Sequence, residues 1–333
     1  MNGFELAISK RRYFFYNNDT PLNTSSSSFI AMNKYCTNHI LAAANIPVPR
    51  GVLFHNSDLE RESLANIIAD LRFPLVIKPT DGSLGIGVLC NIKTINELSF
   101  FLKQYSSLYP SMIIEEFHGR LKSYRVLVFN RKIIGVVLCH PARVLGDGQH
   151  NIQELVELTN IKRKEINDYL GPIVLDEECQ IRLKELGIDQ RYVPAVGEVV
   201  VLCYTSNPTR GGSYESLGVK ICKENRKTMI KIAEILHLGL VGIDVECTDI
   251  NTPLSQSQGV ILDVNHRPSM LIHEVPINGQ PQYVTKNIMR SFIFRHPFSY
   301  LHSLYLNRSR ATAFYIRVAI ASLVSAAIYW FTN

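Results

Sequence analysis

The chain has 333 residues, 46% of them hydrophobic and 19% charged, with a formal net charge of +6 and a pI near 8.9. This is an ordinary globular composition, long enough for a large core and for two or three subdomains around one cleft. The lysines and arginines are scattered rather than clustered, which argues against a nucleic-acid surface and suits small anionic ligands equally well. Seven cysteines without CxxC spacing, most of them in apolar runs, read as buried thiols of a reducing compartment rather than a disulfide scaffold.

The N-terminal stretch 1–16 mixes Lys10, Arg11 and Arg12 with aromatic residues and has no apolar core of a secretory signal, so a cytoplasmic location is expected. The Ser/Thr run 24–28 reads as a loop, and 30–44 as a helix ended by Pro47 and Pro49. Leu64, Ile67, Ile68 and Leu71 recur at helical spacing and predict a helix over 57–71. The next elements are a strand at 75–78, a glycine loop, a second apolar segment at 88–90 and a helix over 94–105. Strands follow at 112–116, 125–129 and 133–138, then a turn at Gly146-Asp147-Gly148. Helices are expected at 152–159, within 160–187 and over 225–238, and strands at 198–204, 239–247 and 260–265. Helices mixed with antiparallel-type strands make the fold α+β.

Two constellations carry chemistry. In FPLVIKPTDGSLGIGV (73–88), Pro79 stops an apolar strand just behind Lys78, so the ammonium is fixed at a strand end as a point charge for phosphate. Gly82, Gly85 and Gly87 let backbone N–H groups approach phosphate oxygens, and Ser83 adds a hydroxyl donor. The order differs from that of a P-loop, whose lysine follows the glycines, and the loop runs into a strand, as a flap over the phosphates would. The second constellation is a pair of alternations. Asp244 and Glu246 share one strand face, and Asp263 and Asn265 share another. The polar linker 248–259 allows antiparallel pairing, which would gather four oxygen side chains suited to Mg²⁺.

The C-terminal stretch 311–331 is apolar apart from Arg317, follows Arg308 and Arg310, and ends near Tyr329 and Trp330. It reads as a tail anchor whose arginine snorkels, with a helix packed on the core or between subunits of a homo-oligomer as the other reading.

Lys78 with its glycine flap, the segment IIEEF at 113–117, GIDVE at 242–246 and DVNHRPS at 263–269 together resemble the ATP-grasp superfamily of carboxylate–amine ligases. More narrowly, YRVLV at 124–128, PARVLGDGQHNIQELV at 141–156 and NPTRGG at 207–212 resemble the ATP-grasp module of cyanophycin synthetases, with bifunctional glutathione synthetases as near relatives. The resemblance covers roughly residues 31 to 290 and stops short of the Mur-ligase-like half of cyanophycin synthetases. It implies three parts: a lead segment 1–30, an ATP-grasp domain 31–290 with its hinge near 113–120, and a basic then hydrophobic tail 291–333.

The resemblance further implies that ATP is held between two α+β subdomains. Lys34 and Lys78 would sit on its phosphates, 82–87 would be the flap, and Glu115, Glu116 and Phe117 would lie at the adenine. Asp244, Asp263 and Asn265 match magnesium ligands, and Arg125, Arg210 and Arg267 are candidates for a carboxylate or the transferred phosphoryl group. The implied reaction joins a small carboxylate, an amino acid or peptide, to an amine acceptor through an acyl phosphate. A glutathione-synthetase-like dipeptide ligase and a non-catalytic membrane-tethered ATP-binding protein are the alternatives. The chain departs from the family pattern in several places. Asp263 stands where Glu is usual, His266 and Arg267 replace small residues, and Ser269 replaces a glycine. Lys122 and Ser123 occupy the neighbourhood of an acidic ribose contact.

Overall fold

The structure, a computed structural model, describes residues 3–332 apart from 9, 62, 83, 84, 106, 120, 167–169 and 307. The chain divides into two compact units, one of residues 22–282 and one in which residues 1–21 join 283–333. In the second unit β1 (Gly3–Ile8) and β2 (Arg11–Tyr16) form an antiparallel hairpin. Phe15 packs edge-on against Phe292 of the helix Val284–Phe294 with ring centroids 5.5 Å apart, and the Tyr13 hydroxyl lies 2.6 Å from His296 Nε2. A helix Pro297–Leu306 and a 25-residue helix Arg308–Thr332 complete this unit.

The larger unit contains two sheets. β3 (Gly51–His55), β4 (Leu75–Pro79), β5 (Leu89–Ile92) and β6 (Ser111–Glu116) form the smaller, antiparallel and in the order β3-β6-β4-β5. Its core holds Leu75, Ile77, Leu98 and Leu102, the last two from the helix Ile95–Tyr105. Next along the chain are β7 (Lys122–Phe129), β8 (Lys132–His140), β9 (Arg143–Leu145), β10 (Val199–Val201), β11 (Ser213–Ser216), β12 (Leu240–Cys247), β13 (Val260–Asn265) and β14 (Asn278–Gly279). The order β13-β12-β7-β8-β11-β14 makes a six-stranded sheet, antiparallel except for β11 beside β14, and β9 pairs with β10 apart from it.

Strand alternation decides which face of the large sheet is apolar. Val126 and Val128 of β7 and Val241, Ile243 and Val245 of β12 pack with Met229, Ile232 and Ala233 of the helix Lys223–Ile235 in one core. With a side-chain period of two, Arg125, Asp244 and Glu246 therefore project from the other face. β12 and β13 pair antiparallel with Asp244 opposite Asp263, and a bulge leaves Leu262 unpaired before Val245 meets Ile261. The extra residue lets Ile261 and Val264 both join the core while Asp263 stays on the charged face.

The turn between these strands is anchored by Asn225, 1% exposed, whose amide donates to the carbonyls of Ile250 and Thr252 and accepts from Leu254 N. Asn225→Ala strands three backbone groups. It is expected to cost about 2–4 kcal/mol in urea unfolding, because a buried unpaired polar group loses its full desolvation term.

Several local expectations change. The run 24–28 is not a loop. Thr24 accepts from Ser27 N and caps a helix Ser25–Met32, and Asn33, extended and capping Cys36 N, separates it from the helix Lys34–Ala43. The single helix over 57–71 is instead a 3₁₀ turn Asn56–Glu60 and a four-residue helix Leu64–Ile67 capped by Ser63. The cysteines are all free, but only Cys179, Cys203 and Cys247 are buried, and Cys36 is exposed.

Candidate active site

Lys78 is set by the alternation of β4, whose Leu75 and Ile77 fill the small core while Lys78 points the other way, itself buried. On β6, Glu115 sits on the same face one diagonal step away, and Lys78 Nζ lies 2.7 Å from its Oε2. The second Glu115 oxygen accepts from Asn38 Nδ2 at 2.9 Å. Asn38 belongs to the helix that begins with Lys34, and Lys34 N donates to the Thr80 carbonyl beside the flap. Burial works to lower the Lys78 pKa, but the charge and hydrogen bond of Glu115, then Asp263, raise it overall. The ammonium is therefore held charged.

Across the charged face of the large sheet, Lys34 Nζ meets Asp263 Oδ2 at 2.7 Å. Arg125 grips Asp244 with two donors, Nη2 reaching Oδ2 at 2.7 Å, and Asn265 Nδ2 donates to the same oxygen at 3.0 Å. Gly242 makes room for this clasp, since a Cβ there would meet Pro268 Cβ at 2.9 Å and Arg125 Cδ at 3.1 Å. Burial tends to raise the Asp263 carboxyl, but Lys34, Lys78 and Arg125 hold it below the ordinary carboxylate range. Glu246 differs. Burial pushes it up to about 7, against the opposing pull of Lys78.

The glycine flap has the backbone its composition calls for. Gly85 and Gly87 adopt φ of +73° and +74°, where a side chain is strained, and a Cβ on Gly87 would strike the Tyr109 ring at 2.9 Å. Gly82 sits over the Pro79 ring, and Ser83 falls outside the described residues. Arg210 Nη1 donates to the Gly85 carbonyl at 2.8 Å, so the NPTRGG loop touches the flap directly. The other partners of Arg210 are Asp176 and Glu178, the latter at 3.1 Å from Nη1.

Some predicted residues lie apart from this cluster. Glu116 is engaged by Arg50 and by Arg72 N at 3.0 Å, and Phe117 stacks edge-on with Tyr204 at 5.0 Å. Arg267 is exposed just beyond β13, its Nε donating to His266 Nε2 at 2.9 Å. A cleft of about 900 Å³, lined by Tyr35, Asn38, Arg50, Glu115, Glu224 and Leu254 among others, meets the cluster through Asn38 and Glu115.

Three supporting residues gave no signal in the sequence. Arg163, 6% exposed, donates to the carbonyls of Gly171, Pro208 and Gly212 and so pins both ends of the Arg210 loop. One oxygen of Glu178 accepts from Tyr204 N, Thr205 N and Thr205 Oγ1, each at 2.9 Å. Asn23 accepts from Gly239 N and Leu240 N and donates to the carbonyls of Leu240 and His266, tying the start of β12 to the end of β13.

His273 is fully buried beside Gly135, and neither ring nitrogen has a hydrogen-bond partner among the described residues. Burial, then the Arg125 charge, lowers its pKa from 6.5 to about 3. The native state leaves this ring neutral while the unfolded chain protonates it near 6.5, so the stability it allows is full above 6.5 and lost as the pH falls toward 3. Between those limits stability should drop by up to about 1.4 kcal/mol per pH unit. Urea unfolding at pH 7 and 5 should show the slope in the parent and a flatter one in His273→Gln.

Residues 31–161 match the RimK family, a RimK-like ATP-grasp domain. The chain is 33% identical over 264 residues to a cyanophycin synthetase of Trichormus variabilis, a match that takes in 78% of this chain and 29% of that protein. It is 27% identical over 273 residues to a glutathione biosynthesis bifunctional protein of Clostridium perfringens, covering 80% and 35% respectively. The chain thus spans about a third of the length of these relatives. In fold it is similar to the crystal structure of a bifunctional glutathione synthetase from Pasteurella multocida, with a TM-score of 0.59 and 24% identity over 88% of this chain and 41% of that one. Residues 31–161 thus match a RimK-like ATP-grasp domain, within an α+β chain whose fold is similar to that of the Pasteurella multocida structure.

Proposed function

We propose that the protein is an ADP-forming ligase that joins a small carboxylate, an amino acid or peptide, to an amine acceptor. The observation that carries this reading is the cluster of Lys34 from a helix, Lys78 from the small sheet and Arg125, Asp244, Asp263 and Asn265 from the large one, in which Lys34 pairs with Asp263 and Arg125 and Asn265 both bond Asp244. In this reading Lys34 and Lys78 hold the ATP phosphates, and the substrate carboxylate attacks the γ-phosphate to give an acyl phosphate and ADP. The amine then displaces phosphate and the amide forms. No residue needs to act as a nucleophile, so the protein contributes positioning and charge. Glu115 keeps Lys78 in place, Arg125 and Arg210 face the transferred group or the acceptor carboxylate, and a closed flap keeps water from the acyl phosphate. Glu116 and Phe117 flank the adenine.

Magnesium fits the donor set. Asp244, Asp263 and Asn265 are hard oxygen ligands on paired strands, and among the described residues no three His, Cys, Asp or Glu side chains gather as an alternative. Bound there, the ion would neutralise phosphate charge. Each carboxylate already has a cation beside it, so nucleotide arrival would exchange ammonium and guanidinium contacts for phosphate ones.

The 333-residue chain in detergent, given Mg-ATP and pools of amino acids, dipeptides and dicarboxylates, should release ADP only with an acceptor present. It should also yield a mass equal to two substrates minus water. A γ-glutamyl dipeptide product would select the glutathione-synthetase-like reading suggested by the second relative, and ATP binding without turnover would sink the ligase.

The C-terminal helix is the second part of the proposal. Its segment Thr312–Trp330 spans 19 residues at a mean hydropathy of 1.6 with none of it buried, long enough to cross a bilayer. Arg308 and Arg310 precede it, which by the positive-inside tendency puts the ligase on the cytoplasmic face. Trp330 is the sole tryptophan. Brominated lipids should therefore quench the intrinsic tryptophan emission of vesicle-reconstituted protein, and unquenched emission would remove the anchor.

A further inference from the structure

The charge of this chain is divided unevenly. Residues 1–21 and 283–333, the smaller unit, carry nine Lys and Arg against two Asp and Glu, whereas residues 22–282 carry 26 against 27. All of the net positive charge thus belongs to the unit that contains the apolar helix, and from 283 to 333 there is no acidic residue.

The same unit exposes aromatic rings. Strand β2 packs Tyr13 and Phe15 on Phe292, so Phe14 and Tyr16 point away from the helix Val284–Phe294 and the side of that helix turned from the hairpin is left open. Along the helix Val284–Phe294, Val284, Ile288 and Phe292 are buried at four-residue spacing, while Lys286 and Arg290 are exposed. Phe298, 85% exposed, and Tyr305, 69% exposed, lie on the helix Pro297–Leu306, which leads into the candidate span.

From these observations we infer that the exposed side of the helices 284–306, with Lys286, Arg290, Phe294 and Phe298, forms a docking surface for an anionic bilayer, separate from the span itself. The apolar rings of Phe294 and Phe298 suit the boundary just below the headgroups, the Tyr305 hydroxyl suits the headgroup layer, and lysines and arginines within a Debye length of it are drawn by acidic lipids. Continuity with the span selects a lipid surface over a nucleic acid, since the chain is delivered to the headgroups by the residues that follow. This inference rests on the anchor reading for its delivery step, and the test separates the two.

The 333-residue chain is reconstituted into vesicles of phosphatidylcholine alone or with 30% phosphatidylglycerol (about one lipid in three, chosen to set a surface potential). Amide exchange over 284–306 is read together with quenching of Trp330. The expected result is quenching in both vesicles, with exchange over 284–306 slowed about tenfold or more in the anionic ones only. Lys286→Gln/Arg290→Gln should abolish most of that protection with ligase turnover unchanged. Quenched Trp330 with no lipid-dependent protection, or with equal protection in both vesicles, overturns the docking surface and keeps the anchor. Protection on anionic vesicles without quenching supports the surface and removes the span. Protection produced by added RNA, or by raising protein concentration without vesicles, overturns it in favour of a nucleic acid or a second copy.

Discussion

Lys78→Met should reduce acceptor-dependent ADP release by about a thousandfold or more, because in the proposed reaction this buried, fixed cation would face charge that develops on phosphate, where dielectric screening is weak. The same change removes the partner of Glu115, which is 1% exposed and keeps only the Asn38 amide. Breaking a buried ion pair from one side costs about 3–5 kcal/mol, so loss of activity alone would not separate catalysis from folding. The pair allows the separation. In Lys78→Met/Glu115→Gln no buried charge is stranded, and thermal stability should return to near the parent value while turnover stays absent. Recovery of turnover in the double variant, or its persistence in Lys78→Met, would take Lys78 out of the chemistry.

Asp263→Asn should behave in the opposite proportion. Its pair with Lys34 is less enclosed than that of Lys78 with Glu115, with side-chain exposures of 14% and 22%, and an amide oxygen can still accept from the ammonium, so the loss of stability should be smaller than in Lys78→Met. As a proposed metal ligand it matters much more. Turnover is expected to fall by about a hundredfold or more, and the Mg²⁺ concentration for half-maximal rate should rise by about tenfold, since an amide is a weaker ligand than a carboxylate. Asp263→Glu lengthens the side chain by one methylene and keeps the charge. It should stay within about tenfold of the parent. An Asn variant as active as Asp, with an unchanged magnesium requirement, would remove Asp263 from the metal site.

Much of this site was legible because its signals are local. Lys78 and its glycines lie within ten residues, and positive φ at Gly85 and Gly87 is what such residues are used for. The alternation of Asp244 with Glu246 and of Asp263 with Asn265 assigns each pair to one strand face. The polar linker between them predicted the antiparallel pairing that places Asp244 opposite Asp263. Local reading failed where a cap competed with periodicity. The apolar spacing at 64–71 promised a longer helix, but Ser63 starts a single turn there, and Asn33 divides what periodicity joined.

Sequence by itself determined the strands that carry Lys78, Arg125, Asp244 and Asp263, the face each of these occupies and the conformational freedom of the flap, which follow from side-chain period and from glycine's missing Cβ, whereas β1, β2, β3, β9, β11 and β14 were not read from it. Only the tertiary structure decided the partners. Lys34 meets Asp263 across 229 residues of chain, Arg125 meets Asp244 across 119, and Arg163 holds the Arg210 loop from a helix whose pattern shows nothing unusual. The meeting of residues 1–21 with 283–333 in one unit was likewise invisible, so a charge that looked scattered along the chain is gathered on one part of the protein. The reason is physical. Periodicity and turn chemistry act over a few residues, whereas an ion pair forms between whichever charges the packed sheets leave on the same face, at any separation along the chain.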